Sequence, residues 1–278
     1  MWLKVYKPYT PSRRFMTWYS FDEITKTRPE KKLTTFIWSK AGRNNQWRIT
    51  VRFRWGGHKR LYRIVDFRGY DKANIPAKIT AIEYDPYRTS RIALLTYADG
   101  EKRYIIAWQW AKVGEMVMCG ENAKIQAWSR KMLKHIPDGY SIFNLEVVPN
   151  SKWKLLRSAW SFGTLTGRDE VKHDVYVKMP SGEVRKFNEN CWATIWIVWN
   201  EEHKNMVIWK AWRQRWLGKK PHVLWKSMNP VDHPHWSWEW HTAIALKYQK
   251  SFTWVPVPPG KRTRSKKKYS NNKIVSRR

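Results

Sequence analysis

Between residues 62 and 199 this chain holds no amphipathic run of ten residues that would make a helix. It holds short alternating apolar runs, each closed by turn residues, and that pattern commits the segment to β-structure. LLTY at 94–97, ADGE at 98–101 and RYII at 103–106 read as a hairpin, because Asp-Gly accepts the positive φ of a tight turn. VYVK at 175–178 and VRKF at 184–187 flank Pro180-Ser181-Gly182 and predict a second hairpin. Residues 79–84 and 142–148 supply further strands. Several short strands at regular spacing suggest small barrels, whose closure removes exposed edges. A break at 126–138 places one barrel before it and one after.

Charge limits what such a fold can do. Lys and Arg number 54 against 22 Asp and Glu, a net charge of +32 with a pI near 10.3. A compact monomer with that excess repels itself, so the expected partner is a polyanion that neutralises much of it. Residues 1–63 carry 16 basic residues against three acids, with Pro8, Pro11 and Pro29 and no sustained periodicity. Residues 261–278 carry nine basic residues and no acid, a run that is usually solvated and disordered alone and that would order on a polyanion. The expected division is an N-terminal basic arm over 1–41, a first barrel over 42–125, a second over 126–200 and a C-terminal extended region over 201–278.

Membrane insertion is not expected, since no apolar run approaches the roughly 20 residues of a spanning helix. The opening MWLKVYKPYTPSRR has charges and prolines where a signal peptide has its apolar core, which points to the cytosol or an organelle matrix. Cys119 and Cys191 are too few for a disulfide framework and lack zinc-ligand spacing. Enzymes that process nucleic acid with metal ions use paired carboxylates. Acids are scarce here, and Asp66, Asp85 and Asp99 fall at strand ends or turns, where a structural role suffices. A basic nucleic-acid-binding architectural protein is one such class, although such proteins more often show repeated modules or groove-reading helices.

Several residues could carry binding chemistry. Arg88 and Arg157 lie at or beside strand ends, where a guanidinium is offered to phosphate from a rigid platform; the competing reading is a solvated surface arginine. Gly56-Gly57-His58-Lys59-Arg60 combines backbone access with cations, a plausible phosphate cradle, while a Gly-Gly pair alone is more often a turn. Asp232, His233, His235 and His241 include metal-ligand types, but prolines hold the loop extended and no second cluster completes a tetrahedron. His233 has a proton-transfer pKa range, yet no nucleophile or oxyanion-hole motif accompanies it.

Eight segments occur in order along the chain: GRNNQWRIT at 42–50, GGHKRLYRIVDF at 56–67, EYDPYR at 83–88, YADGEKRYI at 97–105, RSA at 157–159, SGEVRK at 181–186, RWLGKKP at 215–221 and MNPVDHPH at 228–235. Together they resemble the bacterial-type large-subunit ribosomal protein L2 family over nearly the whole length. The resemblance implies an OB-like barrel followed by an SH3-like barrel, with basic arms threading into rRNA. It implies RNA contacts at Arg43, His58, Lys59, Arg60, Arg88, Arg157, Arg215, Lys219, Asn229, Asp232, His233 and His235. In the basic tail it adds Lys261, Arg262, Arg264, Lys266, Lys267 and Lys268. It further implies no catalytic residue, no metal and no cofactor, with peptidyl transfer belonging to RNA and the 228–235 loop reaching toward that centre. Implied partners are large-subunit rRNA, neighbouring ribosomal proteins and the small subunit across the interface. The implied location is the bacterial ribosome in the cytoplasm, with a mitochondrial ribosome as the alternative.

Tryptophan usage does not fit this picture. The chain has 21 Trp and only 13 Gly, below the roughly 7% glycine of average proteins. Trp47, Trp55, Trp160, Trp196, Trp199, Trp209, Trp212, Trp225, Trp236, Trp238 and Trp240 stand where the family pattern has glycine, whereas Trp216 stands where the family has Trp. Glycine serves where φ is positive or a backbone must come close. The expectation is that many of these sites are glycines encoded by UGA and displayed as Trp. Base stacking by indoles and a mitochondrial gene with true UGA-encoded Trp are the competing readings.

Overall fold

The computed structural model describes residues 3–121, 123–224, 227–236, 248–251, 253–260 and 262–277. It divides into two compact units. The first comprises Met1–Trp38, His58–Arg213 and Asn272–Arg278, the second Ser39–Gly57 and Gln214–Asn271.

The first unit is built on antiparallel sheets. β1 (Leu3–Val5) pairs with β2 (Thr17–Tyr19) across the four-residue helix α1 (Pro11–Arg14), and β3 (Thr34–Phe36) pairs with β4 (Leu61–Arg63). β5 (Ala77–Glu83), β6 (Ile92–Tyr97), β7 (Lys102–Ile106) and β8 (Met116–Val117) form a four-stranded sheet in the order β7-β6-β5-β8. The second large sheet contains β9 (Arg130–Met132), β10 (Ser141–Phe143), β11 (Gly163–Asp169), β12 (Asp174–Lys178), β13 (Val184–Asn188), β14 (Trp192–Ile195) and β15 (Ile274–Ser276). Its order is β15-β13-β12-β11-β10-β14-β9. The chain is therefore mainly β, with an OB-like sheet followed by an SH3-like one.

Both expected hairpins form. The β6–β7 turn places Gly100 at φ +82 and the β12–β13 turn places Gly182 at φ +85, conformations that cost glycine nothing. β5 alternates buried Ala77, Ile79 and Ala81 with exposed Lys78 and Thr80, and a register shift between Ile79 and Ala81 then turns Ile82 and Glu83 inward as well. Such a bulge bends a strand and raises its twist, as a sheet curling into a barrel requires. Ile79, Ile92, Leu95 and Ile106 of the first sheet share one core with Ile142, Phe143, Leu165, Val177 and Ile195 of the second. Buried Trp108 bridges to Val198 and stacks on Trp128 at 5.3 Å between ring centroids.

Three expectations are revised. The strand expected over 142–148 stops at Phe143, because Asn144 adopts φ +53 and turns the chain; Leu145 keeps only an isolated bridge to Leu155. The break expected at 126–138 contains β9, which pairs with β14. Pattern reading counts Arg130 as polar, yet its guanidinium is buried 3.8 Å from the Trp153 ring centroid and 3.3 Å from the Glu146 carboxylate. Burial lowers the Arg130 pKa to about 9 and raises that of Glu146 to about 7; their ion pair opposes both trends. Finally, the basic tail does not stay irregular to its end, since β15 adds to the edge of β13 through Val184↔Ser276 and Arg185↔Ile274.

The N-terminal segment is also attached to the first sheet. Thr25 N–H donates to the Ile82 carbonyl at 3.1 Å and the Ile82 N–H to Thr25 Oγ1 at 2.9 Å. The Glu30 N–H donates to the Tyr104 hydroxyl at 2.8 Å, and that hydroxyl donates to Glu83 at 2.8 Å.

Candidate nucleic-acid interface

In the first unit, three of the expected RNA-contact arginines converge on an aromatic bed. Tyr62 lies on β4, Phe67 follows it, and Tyr87 and Arg88 sit in the turn after β5. That turn is set by Asp85, whose carboxylate accepts the Tyr87 N–H at 2.8 Å and pairs with Arg88 Nε at 3.0 Å. Arg88 lies 4.9 Å from the Phe67 ring centroid and donates to the Tyr62 hydroxyl at 3.2 Å. Arg157 approaches the same Phe67 ring at 4.8 Å. Its loop is tied to the turn by the Ala159 N–H, which donates to Thr89 Oγ1 at 3.0 Å. Arg60 lies 4.3 Å from the Tyr87 centroid and donates to the Pro86 carbonyl at 3.0 Å.

Electrostatics distinguish these cations. Arg88 has Asp85 as its counter-ion, whereas Arg157 has no acidic partner among the described residues. Partial burial, then repulsion from Arg88, holds the Arg157 pKa below its usual range, although a guanidinium stays charged at any physiological pH. Two guanidiniums against one ring, with one carboxylate between them, leave a positive site preorganised for a phosphate and a flat aromatic surface beside it. His58 and Lys59 are exposed, and Lys59 stands over Phe36 at 5.9 Å.

The second unit brings two of the sequence segments together. The Trp55 N–H donates to the Gly218 carbonyl at 3.0 Å, its indole N–H donates to the Arg215 carbonyl at 2.8 Å, and Arg54 bridges to Lys219. Arg215 itself stands 5.5 Å from the Trp55 ring, and Arg43 forms a bridge with Ile49. Gly57 has φ +72, and a Cβ there would lie 2.7 Å from the Trp216 carbonyl oxygen. Gly57→Ala is therefore expected to destabilise the second unit by at least the ~1–2 kcal/mol of left-handed backbone, measured as a lower denaturation midpoint. Gly56→Ala, where a Cβ would meet nothing within 4 Å, serves as the comparison and should change little.

In the 228–235 loop, the Asp232 N–H donates to the Asn229 carbonyl, and Asn229 and Asp232 are exposed. His233 is 4% exposed and its Nδ1 accepts the His235 N–H at 3.0 Å, while His235 Nε2 accepts the Lys250 N–H at 2.8 Å. Burial, then the neighbouring His235 and Arg52, lowers the His233 pKa, so the ring is neutral near pH 7 and orders the loop from inside. No group of three or more His, Cys, Asp or Glu that could hold a metal is found among the described residues. In the tail, Arg264 donates to Asn271 Oδ1 at 2.7 Å, and Arg262, Lys266, Lys267 and Lys268 are exposed. Lys261, His241, Trp225, Trp238 and Trp240 lie outside the described residues.

Residues 30–119 match the family model for Ribosomal Proteins L2, RNA binding N-terminal domain, and residues 129–245 match that for Ribosomal Proteins L2, C-terminal domain. The chain belongs to the ribosomal protein L2 family. It is accordingly a large-subunit ribosomal protein that binds RNA, a structural component of the ribosome and not a classical enzyme. The arginine patch described above has Arg60, Arg88 and their aromatic partners inside the matched RNA-binding domain, and Arg157 inside the C-terminal one. Reading the sequence alone missed Tyr62, Phe67 and Tyr87 as part of this interface. They were legible only as neighbours of the arginines in GGHKRLYRIVDF and EYDPYR, since spacing does not show which ring a guanidinium will cover.

Proposed function

We propose that this L2-family chain supports assembly of the large ribosomal subunit, association with the small subunit and the surroundings of the peptidyl-transferase centre, in a bacterial ribosome. Neighbouring ribosomal proteins and the small subunit are its proposed protein-level partners. The proposed division has basic arms at 1–41 and 201–278 flanking barrels at 42–125 and 126–200. The observation that best supports an RNA-facing role for the barrels is the convergence of Arg88 and Arg157 on Phe67. Phosphate between two guanidiniums gains charge-assisted hydrogen bonds from a platform that does not have to reorganise. The 228–235 loop and the cations of 262–268 are proposed as further rRNA contacts, with His233 positioning the loop.

Arg157→Ala is the decisive substitution. Because Arg157 lacks an acidic partner among the described residues, removing it strands no carboxylate, whereas Arg88→Ala would leave the buried Asp85 unpaired. Arg157→Ala is expected to keep its circular dichroism spectrum, weaken binding to large-subunit rRNA, and reduce the slope of log K against log salt by about 0.7 to 0.9, one phosphate contact. An unchanged slope with unchanged affinity would remove Arg157 from the interface.

A further inference from the structure

Sixteen non-glycine residues among those described have φ in the left-handed region, and seven of them are tryptophans: Trp47, Trp110, Trp128, Trp160, Trp196, Trp209 and Trp254. Four of the 21 tryptophans, at positions 2, 225, 238 and 240, lie outside the described residues, so seven of seventeen are left-handed. Only a few per cent of ordinary non-glycine residues adopt such angles, with Asn and Asp favoured. None of the 13 tyrosines does so here, while ten of the 13 glycines do. By backbone angle, tryptophan in this chain is distributed partly like glycine; of the eight described phenylalanines only Phe21 and Phe53 share the region.

Hydrogen bonding fixes these conformations, and the indoles at the exposed positions return little, whereas Trp128 and Trp196 pack against the core. The Trp128 N–H donates to the Ile195 carbonyl at 2.9 Å, the Trp160 N–H to Val198 at 3.2 Å, the Trp196 N–H to Ser141 at 2.8 Å and the Trp254 N–H to Ser251 at 2.8 Å. Trp196, at φ +117, lies outside even the narrow left-handed well that other residues use. Trp47, Trp110 and Trp209 are 71%, 57% and 56% exposed, so their rings gain little burial to offset the backbone cost. Seven such costs would together reach the order of a domain's whole stability. Stacking on RNA bases would explain exposed rings, but it gives no reason for them to occur at left-handed backbone.

We propose that the cell inserts glycine at these seven positions: their codon, displayed as Trp, is UGA read as glycine, while UGG supplies true tryptophan. This assignment stands on backbone angles and extends the four motif-marked sites among the seven (47, 160, 196 and 209) to 110, 128 and 254. Trp55, Trp199, Trp212 and Trp236, which only the sequence pattern marks, do not have positive φ. With glycine, the exposed positions 47, 110, 160, 209 and 254 would present bare backbone, which allows close approach of a phosphate.

Peptide mass spectrometry of the native protein from its source cells tests this independently of any ribosomal role. Each of the seven peptides should be lighter by about 129 Da per site than the printed sequence requires, the difference between indolylmethyl and hydrogen at Cα. Trp216, within helix α2 (Ala211–Trp216) and without positive φ, should retain its indole mass. Sequencing of the gene should show UGA at the seven and UGG at 216. Indole mass at most of the seven, or one shared codon at all eight positions, would overturn the proposal.

Discussion

Raising salt from roughly 50 to roughly 200 mM is expected to weaken binding of the full chain to large-subunit rRNA by about 10³ to 10⁵, the loss typical of six to ten neutralised phosphates. The physical reason is release of counterions condensed on the RNA, which becomes less favourable as bulk salt rises. The chain has ample cations for that number. Arg60 and Arg157 have no acidic partner among the described residues, and Lys59, Arg262 and Lys266 to Lys268 are exposed. Other cations are already spent within the protein. Arg103 pairs with Asp66, Asp71 and Glu101, and Lys72 pairs with Glu101 and Asp99, so neither should contribute to the slope. Filter binding across a salt series measures the effect. A loss below tenfold over that interval would show that base contacts and shape, not phosphate neutralisation, dominate binding.

Glu23→Ala is expected to cost roughly 3 to 5 kcal/mol, a large share of the 5 to 15 kcal/mol that holds a typical domain together. Arg91 is 1% exposed and its guanidinium meets Glu23 Oε1 through Nη2 at 2.5 Å and Nε at 2.7 Å. The guanidinium also lies 4.5 Å from the Tyr19 centroid and 5.3 Å from that of Phe21. Removing the carboxylate strands a buried positive charge with only ring faces to solvate it. The same pair fastens the N-terminal segment to the start of β6, so the loss should appear as earlier proteolysis there as well as a lower urea midpoint. Glu23→Leu combined with Arg91→Met removes both charges and should recover much of the loss. A Glu23→Ala midpoint shifted by less than about 1 kcal/mol would mean that water reaches the guanidinium.

What could be read from the sequence has a local cause. Asp99-Gly100 and Ser181-Gly182 announce their hairpins because positive φ is a property of one residue, and both turns form. The mainly β class, the polyanion partner and the family follow from alternation, charge and short ordered motifs, none of which needs a distant neighbour. The positions of the misfit tryptophans are partly legible for the same reason, since 47, 160, 196 and 209 stand where the family pattern has glycine and prove left-handed.

Tertiary structure alone decided what depends on contacts between distant residues. Arg130 looks like part of a polar break until Trp153, Trp192, Tyr70 and Glu146 enclose it and make β9 a strand. Ile274–Ser276 looks like the end of a solvated tail until β13 offers an open edge. Arg88 and Arg157 are 69 positions apart, and nothing in either local sequence says that both will meet Phe67. A charge has no periodicity that distinguishes burial in a cage of rings from solvation in water. The difference lies in desolvation and pairing energies set by residues far along the chain.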